Sequence, residues 1–256
     1  MRALISNDDG VHSPGLKALE AAARAAGLET FIVAPDREQS ASSHALTMDR
    51  PLRLRAVGER TWAVDGTPTD CVNLALCSIL KATPPDLVLS GINAGPNLGD
   101  DVTYSGTVAC AFEGTLLGVP SLAFSLDTWQ EPGRAEPDFA VAEEAARAVI
   151  GLALESPPSG DTLWNVNIPP GAVRGYRVTR MGRRRYGENI VEKIDPRGRP
   201  YFWIGGVHVD THADGTDLTA VADGFVSITP LHLDMTDYHA LTALESLARR
   251  LPAPSR

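Results

Sequence analysis

Two adjacent carboxylates, Asp8 and Asp9, follow a short apolar run and precede a glycine in the order Asn7-Asp8-Asp9-Gly10. Side by side they repel each other and any phosphate, so the pair asks for a cation between it and an anionic ligand. Hard divalent ions such as Mg²⁺ and Mn²⁺ take carboxylate, carbonyl and hydroxyl oxygens and keep waters that a phosphate can displace. Neighbouring side chains on a strand point to opposite faces. Both reach one ion only where the strand gives way to a turn, which is where Gly10 stands. The plain alternative is a solvated Asp-Asp turn that caps the next helix.

Three further segments carry oxygen ligands and amide donors. Pro35-Asp36-Arg37-Glu38-Gln39-Ser40-Ala41-Ser42-Ser43-His44 is rich in hydroxyls, and its Arg37 either clamps an anion or pairs with a nearby acid. Ser90-Gly91-Ile92-Asn93-Ala94-Gly95-Pro96-Asn97-Leu98-Gly99 joins three glycines to two asparagines. Glycines let backbone N–H groups approach an anion, and Asn offers an oxygen to a cation or an NH₂ to phosphate. In Tyr104-Ser105-Gly106-Thr107-Val108, the residues Ser105, Gly106 and Thr107 open a helix, and a helix N-terminus binds anions without a lysine. Each segment alone also reads as an ordinary turn or cap. Together they fit metal-assisted phosphoryl chemistry. His12 and His44 lie in the first two of these loops, as candidates to touch substrate or act as an acid.

The elements that must bring these loops together are legible. Ala3–Ser6, Thr30–Ala34, Leu87–Ser90 and Ser121–Phe124 are short apolar runs bounded by turn formers, as in strands buried on both faces. Helices are expected over Pro14–Ala26, Thr69–Lys81 with Thr69 or Asp70 as cap, about Thr107–Leu117 and about Asp138–Leu154. Strand-helix alternation predicts an α/β fold: a three-layer αβα, Rossmann-like arrangement around a mostly parallel sheet. In such sheets ligands gather beyond the carboxyl ends of the strands, where the four loops fall. A dinucleotide-binding fold would place Gly-x-Gly-x-x-Gly after the first strand; this chain places Asp8-Asp9 there.

With 256 residues and 43% apolar content the chain can bury a large core without disulfides. Cys71, Cys77 and Cys110 have no Cys-x-x-Cys spacing and are expected as reduced core thiols in a cytoplasmic protein. Acidic residues follow the first strand too soon for a secretory signal, and no stretch approaches a membrane span. A formal charge of −9 disfavours stable nucleic-acid binding.

Beyond Pro169-Pro170 the pattern changes, which divides one domain into a catalytic core over 1–170 and a C-terminal extension over 171–256. Asn189–Ile194 and Pro200–Ile204 flank the turn Asp195-Pro196-Arg197-Gly198 as a β-hairpin arm. Then come a strand at Gly224–Thr229 and a final helix from Thr236, capped by Thr236 or Asp237. Tyr201, Phe202 and Trp203 read as packing or interface residues, and Arg180, Arg183, Arg184 and Arg185 as a solvated or inter-subunit surface. His208, Asp210 and His212 alternate as on one face of a strand, without the carboxylate context of a metal site.

These motifs, with Gly66-Thr67-Pro68-Thr69-Asp70-Cys71-Val72, Thr179-Arg180, the Arg183-Arg184-Arg185-Tyr186 run and Gly224-Phe225-Val226-Ser227-Ile228-Thr229-Pro230-Leu231, resemble the SurE-type 5′-nucleotidases, the stationary-phase survival proteins, over nearly the whole chain. The resemblance implies one divalent cation per subunit, Mg²⁺ or Mn²⁺, held by Asp8, Asp9, Ser40 and Asn93. It implies Asn97, Ser105, Gly106 and Thr107 near the phosphate, Asp8 and Asp9 in catalysis, and a homodimer or homotetramer built with the C-terminal arm. Substrates would be nucleoside monophosphates with broad specificity, extending to 3′-nucleotides and short polyphosphate. Rival readings are a noncatalytic nucleotide- or metal-binding module and a metal-dependent sugar-nucleotide transferase. An aspartyl-phosphate route would need Asp-x-Asp spacing, which Asp8-Asp9 lacks.

Overall fold

A computed structural model of the chain describes all residues except 129–136, 187–189, 205–207 and 252–256. The alternating runs become strands β1 (Arg2–Ser6), β2 (Glu29–Pro35), β5 (Leu87–Ala94), β6 (Ser121–Leu126) and β7 (Thr162–Ile168), all parallel, with β1 between β2 and β5. The short strands β3 (Leu54–Gly58) and β4 (Thr61–Val64) extend one edge, β4 parallel to β2. Among the described residues the sheet order is β3-β4-β2-β1-β5-β6-β7-β13-β8, where β8 is Tyr176–Val178 and β13 is Val226–His232. β13 runs antiparallel to β7, so strands from both sides of residue 170 build this sheet.

Helices cover both faces. α1 (Pro14–Ala25) starts because Ser13 Oγ accepts the Leu16 N–H and Pro14 has no N–H to lose. It buries Leu16, Leu19, Ala22 and Ala23 beside α4 (Ala140–Glu155) against Ala3, Ile5, Leu87 and Leu89. On the other face α2 (Pro68–Leu74) and α3 (Gly106–Leu116) pack Val72 and Cys110 against Leu4, Val33 and Val88. Strand residues thus alternate between two cores, the αβα arrangement expected. Each fully buried leucine contributes about 1.5–3 kcal/mol.

Three expectations need correction. The second helix is capped by Thr67, not Thr69 or Asp70: Thr67 Oγ1 accepts the Asp70 N–H at 3.1 Å and Asp70 Oδ2 accepts the Thr67 N–H at 2.8 Å, because Pro68 takes the first helical position. That helix passes at Ala75–Ile79 into a π turn, which leaves Cys77 exposed while Cys71 and Cys110 stay buried; all three thiols are free. Arg184 is not solvated but 5% exposed.

The C-terminal part adds β9 (Arg183–Tyr186), the hairpin β10 (Ile190–Ile194) and β11 (Pro200–Ile204), β12 (His208–Thr211) paired with β9, and helices α5 (Asp217–Ala222) and α6 (Tyr238–Ala248). Asn189, expected to start the hairpin, lies outside the described residues, as do the side chains of Arg185, Tyr186, His208 and Asp210. Asp237 caps α6, accepting from His239 and Ala240 N–H, as expected. Among the described residues no helix is long and apolar enough to cross a membrane.

Candidate functional site

The strand order reverses at β1. From β1 the chain moves outward through β2 and β4 on one side and through β5, β6 and β7 on the other, so the loops after β1 and β5 part and leave a crevice between them. The Asn7–Gly10 and Asn93–Gly99 segments border that crevice. Asn7 is fully buried and ties the first loop together, its Nδ2 donating to Gly10 O at 3.1 Å and Ser13 Oγ at 2.7 Å.

Asp8 is 6% exposed and meets the start of α3: Thr107 Oγ1 donates to Asp8 Oδ1 at 2.5 Å. Ser105 caps that helix by accepting the Val108 N–H at 3.0 Å. Gly106 is required between them, since a Cβ there would lie 2.8 Å from Asp8 Cβ and 2.8 Å from Ser42 Oγ. The α3 N-terminus, Asp8 and Ser42 therefore share one small volume, and Ser42 Oγ is buried without a hydrogen-bond partner.

Burial pushes the Asp8 carboxyl above its usual range, against the pull of the Thr107 hydrogen bonds. Asp9 is pushed up to about 6, first by burial and then by the charge of Asp8, while the Ala94 backbone N–H pulls it down. Glu38 adds to the negative potential on both, and no basic side chain is among the groups that shift them. Two close carboxylates in a field of negative charge favour a cation as their ligand. No group of three His, Cys, Asp or Glu is gathered for a metal among the described residues, so neutral oxygens must complete any ligand set.

Asn93 carries such an oxygen: its Nδ2 donates to Gly95 O at 2.8 Å, which leaves its side-chain carbonyl for another partner. A register shift of β5 against β6 between Ser90 and Asn93 re-aims this residue relative to the strand before it. Ser40 is exposed and donates to Glu38 Oε1 at 2.6 Å, while its neighbour Gln39 N donates to Asp8 O at 2.8 Å. The loop is thus docked on the carboxylate segment, and the Ser40 hydroxyl is turned to Glu38. Asn97 is 7% exposed and fastened on all sides. Its N–H donates to Asn167 Oδ1, its carbonyl accepts from Asn165 and Asn167, and its Nδ2 reaches Ser125 Oγ at 2.7 Å.

Arg37 pairs with the neighbouring Asp36 carboxylate at 2.7 and 3.0 Å. His12 is exposed. His44 Nε2 lies 2.8 Å from Glu113 Oε2, and Asn73 donates to Glu113 Oε1 at 2.7 Å. Glu113 is held below the usual carboxylate range by His44 and Asn73 against burial. With Thr47 donating to Asp70 at 2.9 and 2.6 Å, these bonds strap the hydroxyl-rich loop across α2 and α3. Ser125, Asn165, Asn167 and Asp217 escaped the sequence reading. The signal for two of them was Asn165 and Asn167 at period two inside the otherwise apolar Leu163–Ile168.

A family model described as survival protein SurE matches residues 3–188. The chain is 54% identical over 252 residues to 5′-nucleotidase SurE of Anaeromyxobacter sp. (strain Fw109-5), covering 96% of this chain and 95% of that one. It is 50% identical to 5′-nucleotidase SurE of Syntrophotalea carbinolica, covering 95% and 96%. The crystal structure of the SurE protein from Aquifex aeolicus superimposes with a TM-score of 0.84 at 42% identity, covering 97% of this chain and 100% of that one. Motifs, strand order and these likenesses agree that the chain belongs to the SurE family.

Proposed function

We propose that this protein is a metal-dependent 5′-nucleotidase of broad specificity that cleaves nucleoside monophosphates to nucleoside and phosphate, with 3′-nucleotides and short polyphosphate as further substrates. The observation that carries the reading is the Asp8-Asp9 pair: two carboxylates raised by burial, Asp9 also by the charge of Asp8, with no basic side chain among the groups that shift them, against the N-terminus of α3. The donor chemistry fits one Mg²⁺ or Mn²⁺ held by Asp8, Asp9, the Asn93 carbonyl and, after rotation away from Glu38, the Ser40 hydroxyl. Bound there, a divalent cation supplies charge neutralisation and an acidified water.

The chain's own groups do the rest. Thr107 holds Asp8 by its hydroxyl, so Gly106 and the start of α3 are left to face the phosphate with the helix dipole. Ser105 caps that segment, Asn97 stands with it near the phosphate, and Asp9, the less buried of the two carboxylates, accepts the proton of the attacking water. Self-association through the arm into a dimer or tetramer is part of the same reading, supported by the exposed apolar faces of β10 and β11. Three free thiols suit the reducing cytoplasm.

Phosphate release from AMP, 3′-AMP and a chromogenic phosphate ester, measured with Mn²⁺, with Mg²⁺ and in chelator, tests the proposal. Release with metal and none in chelator supports it. Binding without turnover would point to a binding module, and sugar transfer without free phosphate to a transferase.

A further inference from the structure

We propose that Asp217, in the C-terminal extension, is a positioning residue for the loop that carries Asn97 and delivers Ser105, Gly106 and Thr107 to the carboxylate pair. Asp217 is fully buried, and its two oxygens accept from three backbone N–H groups. Gly99 donates to Oδ2 at 2.8 Å; Gly182 and Leu218 donate to Oδ1 at 2.7 and 2.8 Å. The carboxylate is a fork, with one oxygen on the site loop and the other on the root of β9.

Helix capping does not explain it. Thr216 already caps α5 by accepting the Thr219 N–H, so a buried charge at Asp217 serves another purpose. Gly99 opens the 3-10 turn Gly99–Thr103 that runs into the Ser105 cap. Its φ is +53°, and a Cβ there would lie 3.1 Å from Gly182 O, so the two backbones meet with no side chain between them. Arg184 seals the same joint, Nη1 donating to Asp101 Oδ2 at 2.7 Å and its backbone N–H to Asp100 Oδ2 at 3.0 Å. Leu98 packs with Leu218 and Val221. The loop is therefore held from the sheet by Asn165 and Asn167 and from the extension by Asp217. Donors aimed at developing charge lose their effect when shifted by fractions of an ångström.

Asp217→Asn in the full chain tests this. Asparagine keeps one acceptor; the orientation that retains two of the three bonds sets its oxygen on Gly182 and Leu218 and turns its NH₂ toward Gly99, which frees the Gly99 N–H. The expected result is a kcat for phosphate release from AMP at least ~10-fold lower with KM changed less than ~3-fold, because alignment acts in the transition state. Faster hydrogen exchange at the Gly99 amide accompanies it. Thr216→Ala weakens the α5 cap without touching Gly99 and keeps kcat near wild type. If Asp217→Asn does not fold, Gly99→Ala pries the same joint from the other side and gives the same kcat split.

The kinetic arm rests on the phosphatase reading, and wild type inert toward every phosphate ester would remove that reading. The exchange arm does not depend on turnover. Unchanged Gly99 protection in Asp217→Asn, a kcat equal to wild type, or an equal kcat loss in Thr216→Ala overturns the positioning role.

Discussion

Around Asp8 the loops are pinned by buried hydrogen bonds from Asn7, Thr107, Gln39 and Asn97, whereas the hairpin β10–β11 leaves Ile190 63%, Phe202 57%, Trp203 63% and Ile204 86% exposed. The first region places polar groups where water is excluded, which costs free energy unless each is matched. The second places apolar groups in water, in a separate two-stranded ribbon whose strand residues are all exposed. Charge withheld from solvent marks a place for a ligand, and apolar surface given to solvent marks a place for another protein surface. α6 belongs with the hairpin: it has no buried residue and exposes Leu241, Leu244 and Leu247.

The comparison breaks most sharply at Asp9. Asp9→Asn is expected to abolish most metal-dependent turnover, a loss on the order of several kcal/mol of transition-state stabilisation. Its effect on the chelated protein runs the other way. Asp9 titrates at about 6 in the folded chain against an ordinary 3.8. The folded state therefore holds the proton more tightly, and stability falls as pH rises through that interval. Thermal melts in chelator should show the variant above wild type beyond pH 6, with the gap closing as pH falls toward 4. Added Mn²⁺ or Mg²⁺ should raise the wild-type melting temperature by mass action and the variant's much less. Equal metal-induced shifts in both proteins would remove Asp9 from the ligand set.

Thr107→Val comes next. It takes a hydroxyl donor from a buried carboxylate, for a loss of ~1–3 kcal/mol in stability or turnover. Unchanged melting and kcat would mean that Asp8 is held by other groups.

The hairpin should respond in the opposite pattern, with assembly changed and the folded core kept. Deleting 189–204, or replacing Trp203→Glu, should give a smaller species by light scattering with little change in the melting of the core. An unchanged mass would show that the exposed faces are not the association surface.

The smallest effect is expected at the strap. Glu113→Gln weakens the contacts to His44 and Asn73 by ~1 kcal/mol at neutral pH. Glu113 is depressed below its ordinary 4.5, so its contribution is complete above that pH and is lost as pH falls through the folded value. Chemical denaturation of wild type and variant should differ at pH 7 and converge in acid. A constant difference across that range would assign the effect to packing instead.

The sequence by itself determined the alternating strands, the side of the sheet on which the loops fall, and the oxygen-rich character of those loops. These are local properties: an apolar run of four or five residues, a Ser13-Pro14 helix start and an Asp8-Asp9 pair act on their neighbours along the chain. Tertiary structure decided what lies between distant segments. Asn165 and Asn167 became the clamp on Asn97 only when β7 came to lie beside β6. Arg184 left solvent because Asp101 was there to meet it. Asp217 reached Gly99 across 118 residues of chain. A buried polar side chain is defined by the partner that repays its desolvation, and that partner's place is set by the closing of the sheet, which no single stretch of sequence contains.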